Sequence, residues 1–395
     1  MPASPSTARV INDRLALRLL QDEGPLTAGQ LKTLTGLSRP TVADLVERLT
    51  AAGLIEVVGE AGEQRRGPNA RLYGIVAGLA QLAALDVRTE GISVIVSDLL
   101  GAVLAESALP IGGELGTGPA LEQAVALVER TAEEAGADRL HTVGIGAPGL
   151  IDPATGELRD SKGLPEWHRR LVAALQERMP EARVTVDNET NLAAVAEQRE
   201  GAAHDRDTFV LLWLGHGAGA AVVLDGRLRR GASGGTGEIG FLPVPGTSGL
   251  PSATDCEGGF HSLAGSTAIE RLAAGHALPA PDPLPGEPAA ASLVRLAAGR
   301  SATHAPSAAF LDTLADRVTI GAASVVAVLD PGCVVLGGEI GAAGGPDLAA
   351  RVQTRLHRMS PLPTEVRPTT LGGTAVLRGA LLTARDRAQE EVFAP

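Results

Sequence analysis

Aromatic side chains are almost absent: five Phe, two Trp and one Tyr stand among 395 residues. The cores must therefore be built from Ala, Val, Leu and Ile. Cysteine is as scarce. Cys256 and Cys333 are the only two, which excludes a disulfide framework and a four-cysteine zinc site. Lysine occurs only at Lys32 and Lys162, with Arg taking nearly every other basic position; this reads first as compositional bias. No run of about 18 uncharged apolar residues is present, so no membrane span and no membrane partner is expected. The N-terminal stretch MPASPSTARVINDRLALRLL has no sustained apolar segment, because Asn12, Asp13 and Arg14 interrupt it; no signal peptide is expected. These absences predict a soluble, cytoplasmic protein.

What is present is ample apolar material. The hydrophobic fraction is 44%, and the length exceeds one compact core and suffices for two or three domains. Net charge is −12, which argues against nonspecific nucleic-acid binding by the whole molecule. The charge is uneven. Residues 1–74 hold nine basic and eight acidic side chains, so the negative charge belongs to the body that follows.

Within residues 1–74, Asn12 is placed to cap a helix running through Leu15, Leu17, Leu19 and Leu20, and Gly24-Pro25 breaks it. Thr27-Ala28-Gly29-Gln30 fits a capping box opening a short helix. After the tight turn Thr35-Gly36-Leu37, Ser38 caps a third helix. Val42, Leu45, Val46 and Leu49 recur there at helical spacing and form one apolar stripe. Arg39, Thr41, Asp44 and Arg48 lie opposite. Two helices joined by a glycine turn describe a helix-turn-helix. LIEVVGE and ARLYGI read as two strands of a hairpin wing around EAGEQRRGPNA. In such a module Ser38, Arg39, Pro40 and Thr41, at the start of the third helix, face bases and phosphates. Arg65 and Arg66 in the wing, with Arg71, reach phosphates or the minor groove. A helical protein-interaction module is the bland alternative, favoured by the weak net charge and by Asp44 and Glu47.

From Leu79 the pattern becomes strands alternating with helices, an α/β architecture. Three strands, helix, strand, helix occur from Leu79 and again from Phe209, which predicts two similar lobes facing across a cleft. HALPAPDPLPGEPAAAS reads as a surface excursion with little chemistry. RVTVDNETNLAA places Asp187, Asn188 and Glu189 at a strand-to-helix turn, a common position for a catalytic base.

Several motifs converge on one family. GIGAPGLID (144–152) looks like a G-x-G-x-P-G-x-x-D turn. DNETNLAAVAE (187–197) looks like an N-D-A-N-A-A-A-x-A-E segment. LGHGAGAAVVLDGRLRRGASGGTGEIGF (214–241) is similar to a glycine-rich block ending G-E-I-G-H, and LDPGCVVLGGEIG (329–341) to an L-x-P-x-x-I-V-I-G-G strand. TGLSRPTVADLVERLTAAGLI (35–55) resembles the regulators' helix-turn-helix. Together they resemble the ROK family (repressors, open reading frames and sugar kinases), over nearly the whole chain.

The resemblance implies a winged helix over 1–74 followed by a two-lobed, actin-like ROK domain over 75–395. Lobe one would take about 75–195 plus the C-terminal helix, about 375–395, and lobe two about 196–374. It also exposes departures. The first phosphate loop of the kinases, D-x-G-G-T, is here Asp86-Val87-Arg88-Thr89-Glu90, with both glycines gone. The second, Gly215-His216-Gly217-Ala218-Gly219, is kept, with His216 read as a solvated turn residue. Glu189 stands where the kinases keep a catalytic Asp. One extra methylene displaces the carboxylate, and misplacement on this scale can cost about 10²-fold in rate. Of the sugar contacts, Asn188 and Glu238 are kept. Gly163 and Phe241 replace polar residues, and His261 stands near the place of a sugar-binding Glu. The family's zinc motif is reduced to Cys256, with His261 and Asp255 as weak partners. The reading that follows is a regulator, a repressor working as a homodimer or homotetramer on operator DNA. Asn188, Glu189, Glu238 and His261 would receive a small-molecule effector, a sugar or its derivative. No catalytic residue, cofactor or metal is expected. The alternatives are a sugar kinase with a fused winged helix and a repressor that needs no ligand.

Overall fold

The structure is a computed structural model that describes residues 5–61, 70–112, 115–152, 154–159, 164–247, 249–252, 257–284 and 286–394. The chain opens with α1 (Pro5–Asp22), β1 (Leu26–Thr27), α2 (Ala28–Thr35), α3 (Arg39–Ala51), β2 (Ile55–Ala61) and β3 (Ala70–Ile75). The three strands form one antiparallel sheet in the order β1-β3-β2. This is a winged helix, and its local signals are physical. Thr27 accepts the Gln30 N–H while the Gln30 side chain accepts from the Thr27 backbone, a complete capping box. Gly36 ends α2 at φ 70, a left-handed conformation costly for any residue with a Cβ. Ser38 caps α3 through the Thr41 N–H. Val42, Leu45, Val46 and Leu49 are all buried, each contributing about 1.5–3 kcal/mol. The first helix differs from expectation. It begins at Pro5, and Asn12 lies inside it rather than at its cap. Leu17 and Leu20 are buried, whereas Leu15 is exposed.

Two α/β lobes follow. The first contains β4 (Gln81–Arg88), β5 (Gly91–Asp98), β6 (Val103–Pro110), α4 (Thr117–Glu134), β7 (Thr142–Ala147), α5 (Glu166–Arg178) and β8 (Arg183–Asn188). Then α6 (Glu189–Arg199) leads to β9 (Phe209–Leu214), β10 (Ala218–Leu224) and β11 (Arg227–Arg229). The helices α7 (His261–Ala264), α8 (Ser266–Gly275), α9 (Ala289–Ala298) and α10 (Ala305–Leu329) precede β12 (Cys333–Gly337), α11 (Gly338–Met359), β13 (Glu365–Pro368) and α12 (Ala375–Val392). The sheets run β6-β5-β4-β7-β8 and β11-β10-β9-β12-β13. Both place an antiparallel three-stranded ribbon beside two parallel strands, so one topology occurs twice. The Pro/Ala-rich stretch proves to be more than an excursion. Its last residues open α9, whose Ala290, Ala291, Leu293, Val294 and Ala297 enter the second lobe's core.

Between the sheets, α6 and α12 cross in close contact. A Cβ on Gly379 would overlap the Leu192 carbonyl oxygen, and one on Gly144 would lie 2.8 Å from the Ala380 oxygen. The far end of α12 reaches the winged helix. Ala388 shares one core with Leu17, Leu20, Leu45 and Leu82, and the Gln389 amide donates to the Leu99 carbonyl at 2.9 Å. Fully buried Glu197 ties α6 to the segment before α12. It accepts from the Ala202 N–H at 2.6 Å, the Leu371 N–H at 3.4 Å and the Thr369 hydroxyl.

Glu197→Ala strands these donors away from water, and each buried unpaired donor costs about 1–3 kcal/mol. Denaturant titration is expected to show a loss of about 2–4 kcal/mol. A change within about 0.5 kcal/mol would show that the carboxylate is dispensable.

Candidate DNA-reading and effector sites

The start of α3 is presented to solvent. Ser38, Arg39 and Pro40 are exposed and Thr41 is half-buried. The Ser38 and Thr41 hydroxyls lie 2.8 Å apart, so they brace each other as well as the cap. Arg39 makes no ion pair among the described residues. Arg48 is committed elsewhere: it bonds Asp13 of α1 at 2.6 Å and also Asp44. That pair offsets the Asp44 charge on α3 and clamps α3 to α1. Arg65 and Arg66 lie outside the described residues; Arg71 is exposed at the start of β3.

The second site lies between the lobes. Asn188, Glu189, Thr236, Glu238 and Trp213 line a cavity of about 160 Å³ together with Gly217 and Gly219. Asn188 ends β8 and caps α6, its oxygen accepting from the Thr190 and Asn191 N–H groups at 2.9 and 3.3 Å. Its amide nitrogen donates to the Gly149 carbonyl at 3.0 Å and to Glu189 Oε2 at 2.9 Å. Both ends of the amide are thus engaged, and its evident role is to aim Glu189. Glu238 is delivered by the loop that begins at Gly237, whose φ of 89 and contact with the Ala220 carbonyl leave no room for a Cβ. The Glu238 carboxyl makes no cap bond to the short turn that follows it. His261 does not line this cavity. Its ring packs behind the loop, with Nδ1 3.6 Å from where a Gly217 Cβ would stand. Phe241 is exposed, and Gly163 lies outside the described residues.

Carboxyl groups crowd this cleft. Burial, and then the neighbouring Glu238, Asp86 and Glu339 carboxylates, push Glu189 up to about 8. Burial also raises Glu238. Two guanidinium groups offset the crowding, and no sequence motif marks either of them. Arg230, beyond β11, bonds Asp187 Oδ2 at 2.5 Å, so a second-lobe residue grips the end of β8. Arg88 bonds Asp86 at 2.7 Å and Glu339, at the start of α11, at 3.1 Å. Glu90 Oε1 lies 3.0 Å from His216 Nε2; His216 is an exposed turn residue, as its sequence position implies, that also meets Glu90. Gly215 is kept by crowding, since a Cβ there would lie 2.8 Å from Glu339 Oε2 and 2.9 Å from Trp213 Nε1.

A zinc site is not assembled from what is described. No three His, Cys, Asp or Glu side chains gather among the described residues. Asp255 and Cys256 lie outside them. One cysteine in this stretch falls short of the donor set that structural zinc requires. Cys333 is buried in β12, and burial pushes its thiol up to about 11.

The raised Glu189 gives a signed prediction. The folded protein keeps a proton that the unfolded chain releases near 4.5. This contribution to stability is therefore full at acid pH and is lost as pH rises toward about 8. Glu189→Gln, which imitates the protonated acid, should flatten the fall in melting temperature between about pH 5 and about pH 8.5. Parallel curves for variant and wild type would refute the shift.

Comparison with known proteins agrees with this geometry. The MarR family profile matches residues 12–67. The xylose repressor of Caldicellulosiruptor bescii is 25% identical over 238 residues, 59% of each protein. The N-acetylglucosamine repressor of Escherichia coli O157:H7 is 27% identical over 275 residues, 66% of this chain and 64% of that protein. The chain thus spans about three fifths of the length of these curated relatives. Among solved structures, a ROK family transcriptional regulator described as a homolog of the E. coli MLC protein superposes with a TM-score of 0.75 at 21% identity, covering 98% of both chains. The ROK hexokinase of Thermus thermophilus superposes with a TM-score of 0.62 at 28% identity, covering 78% of this chain and 99% of its own. The ROK family profile itself matches residues 82–387, well over half of the sequence, and the chain belongs to the ROK family.

Proposed function

We propose that this protein is a DNA-binding transcriptional regulator, a repressor, acting in the cytoplasm as a homodimer or homotetramer. Its winged helix, residues 1–74, reads an operator through Ser38, Arg39, Pro40 and Thr41, with Arg65 and Arg66 of the wing on the backbone. Its ROK domain, residues 75–395, receives a sugar or sugar derivative at Glu189 and Glu238 without phosphorylating it. The observation that carries this reading is the shared core. Residues of the winged helix and of β4 and α12 pack as one cluster, so a change in the cleft has a solid path to the DNA-reading helix. The relatives named as xylose and N-acetylglucosamine repressors support the same assignment.

Absence of phosphoryl transfer is supported by the chemistry of the cleft. A general base acts deprotonated, and burial, which raises Glu189 to about 8, disfavours that form at neutrality. Arg88 and Thr89 stand where the resemblance places phosphate-binding glycines, and Arg88 is already paired with Asp86 and Glu339. His261 enters as support for the glycine loop rather than as a ligand contact.

Anisotropy with DNA from the promoter beside its own gene should show specific binding that weakens steeply with salt. Arg39→Ala should cost about 1–3 kcal/mol of operator affinity and relax preference at one base position. Uniform weakening on all sequences would instead make Arg39 a phosphate contact.

Mg·ATP should leave the melting temperature unchanged, and a coupled assay over a sugar panel should show no turnover. Turnover abolished by Glu189→Gln would establish a kinase.

A further inference from the structure

Arg88 does more than neutralise Asp86. Its guanidinium bonds Asp86 on β4, Glu339 at the start of α11, the Gly286 carbonyl at 3.2 Å and the Gly373 carbonyl at 2.8 Å. Four separate segments therefore meet on one planar group: the first-lobe sheet, a second-lobe helix, the approach to α9 and the turn that opens α12. The carboxylates at its centre are nearly inaccessible, with 4% of the Asp86 side chain and 10% of the Glu339 side chain exposed. If the guanidinium leaves, two buried carboxylates face each other beside Glu189, with only the His216 ring left to favour the Glu339 charge. The arrangement is therefore close to all-or-none: either the guanidinium sits in place or the segments must part.

Gly373 is where the local link becomes a long one. It lies in the turn immediately before α12, and α12 is about 27 Å long at 1.5 Å per residue. Along its middle the helix has no slack, because Gly379 lies on the Leu192 backbone and the Gly144 Cα on the Ala380 carbonyl. At its far end Ala388, Val392 and Phe393 pack into the winged-helix core. A displacement at the first turn is therefore carried to the far end.

We propose that Arg88 is a clasp that holds the two lobes together and fixes the first turn of α12, so that opening the cleft moves the winged helix through α12. The clasp itself is independent of any ligand; only its consequence for DNA rests on the regulator reading. Glu90 and His216 add a second, exposed strut beside it, of the kind that contributes little alone.

The test uses the full chain, with Arg88→Met, Glu339→Gln and the double variant. Hydrogen exchange is the primary readout and needs no DNA. Exchange in Arg88→Met should rise at residues 372–377 and also at 388–393, while the strand β7 beneath stays protected. The double variant should be no worse than Arg88→Met, since both remove the same link. Operator affinity should change by about tenfold, within the usual range of such couplings. Faster exchange confined to 86–92 and 372–377, with 388–393 unchanged, would overturn the proposal, because the clasp would then be local. So would additive effects of the two substitutions. If Arg88→Met does not fold, Arg88→Lys serves. Its single ammonium cannot span the four acceptors, so the same two-ended rise is expected in milder form, and wild-type exchange at 388–393 would refute the relay. Should the wild type bind no operator, the exchange pattern still decides on the clasp, while the regulator reading falls separately.

Discussion

Gly379 sits on the Leu192 carbonyl with no space for even a methyl group between α12 and α6. Backbone meets backbone there, and Gly144 and Gly146 of β7 repeat the condition beneath, where added Cβ atoms would meet the Ala380 oxygen at 2.8 Å and Val376 Cγ1 at 2.5 Å. Contacts of this kind leave only one depth and one angle of crossing. Both functional ends inherit that constraint. The N-terminus of α6 carries Asn188 and Glu189 into the cleft, and the C-terminus of α12 enters the winged-helix core. The scarcity of aromatics fits the same picture. Small aliphatic side chains allow elements to approach this closely, and the large rings that exist, such as Phe209, Phe260 and Phe310, are fully buried in the body.

Electrostatics imposes a second constraint. Asp86, Glu189, Glu238 and Glu339 crowd one cleft, and burial pushes each of them up. A fold tolerates this only with compensation, because an unpaired charge in low dielectric is expensive. The compensation comes from opposite sides. Arg88 reaches from the first lobe to Glu339 of the second, and Arg230 reaches from the second lobe to Asp187 of the first. Each therefore neutralises charge and joins lobes in the same act. On the outer surface the division is different. The −12 net charge belongs to the body, so long-range repulsion disfavours its approach to DNA while the near-neutral winged helix is exempt.

Much of the fold was legible because its signals are local. The Thr27 capping box, the Ser38 cap and the stripe from Val42 to Leu49 each fit within one or two turns, and each stands in the structure as read. The repeated strand order was legible for a similar reason, as periodicity and turns alternate along the chain. The errors have physical causes. Among the described residues α1 already runs from Pro5, and Asn12, a residue type that also caps helices, lies inside it. Helix α9 was hidden by the prolines before it, although Ala290, Leu293, Val294 and Ala297 hold a helical period. In the cleft, sequence motifs brought Asn188, Glu189 and Glu238 to one region but could not tell which polar atoms remain unspent. Arg88 and Arg230 were invisible in their roles. Their partners lie 198, 285 and 43 residues away, and no local pattern encodes a bond across such a distance.

These constraints bear on what a ligand of this cleft must do. A cavity of about 160 Å³ suits a molecule of monosaccharide size, with about a dozen non-hydrogen atoms. Reversing a two-state equilibrium from 1:99 to 99:1 requires about 5.5 kcal/mol of difference in binding between the states. At about 0.3–1.5 kcal/mol per atom, such a ligand has roughly 4–18 kcal/mol in all. The lower end falls short even if every contact is made in one state only. Toward that lower end nearly all of the binding free energy has to be specific to one arrangement of the lobes, which requires contacts from both. The cavity meets that condition, since Asn188 and Glu189 open α6 beside the first sheet while Trp213 lies on β9 of the second and Thr236 and Glu238 on the loop beyond β11. A ligand held by Glu189 alone would leave the equilibrium where it was. One that also engages Glu238 ties its binding free energy to the distance between the lobes, the same distance that Arg88 and Arg230 already set.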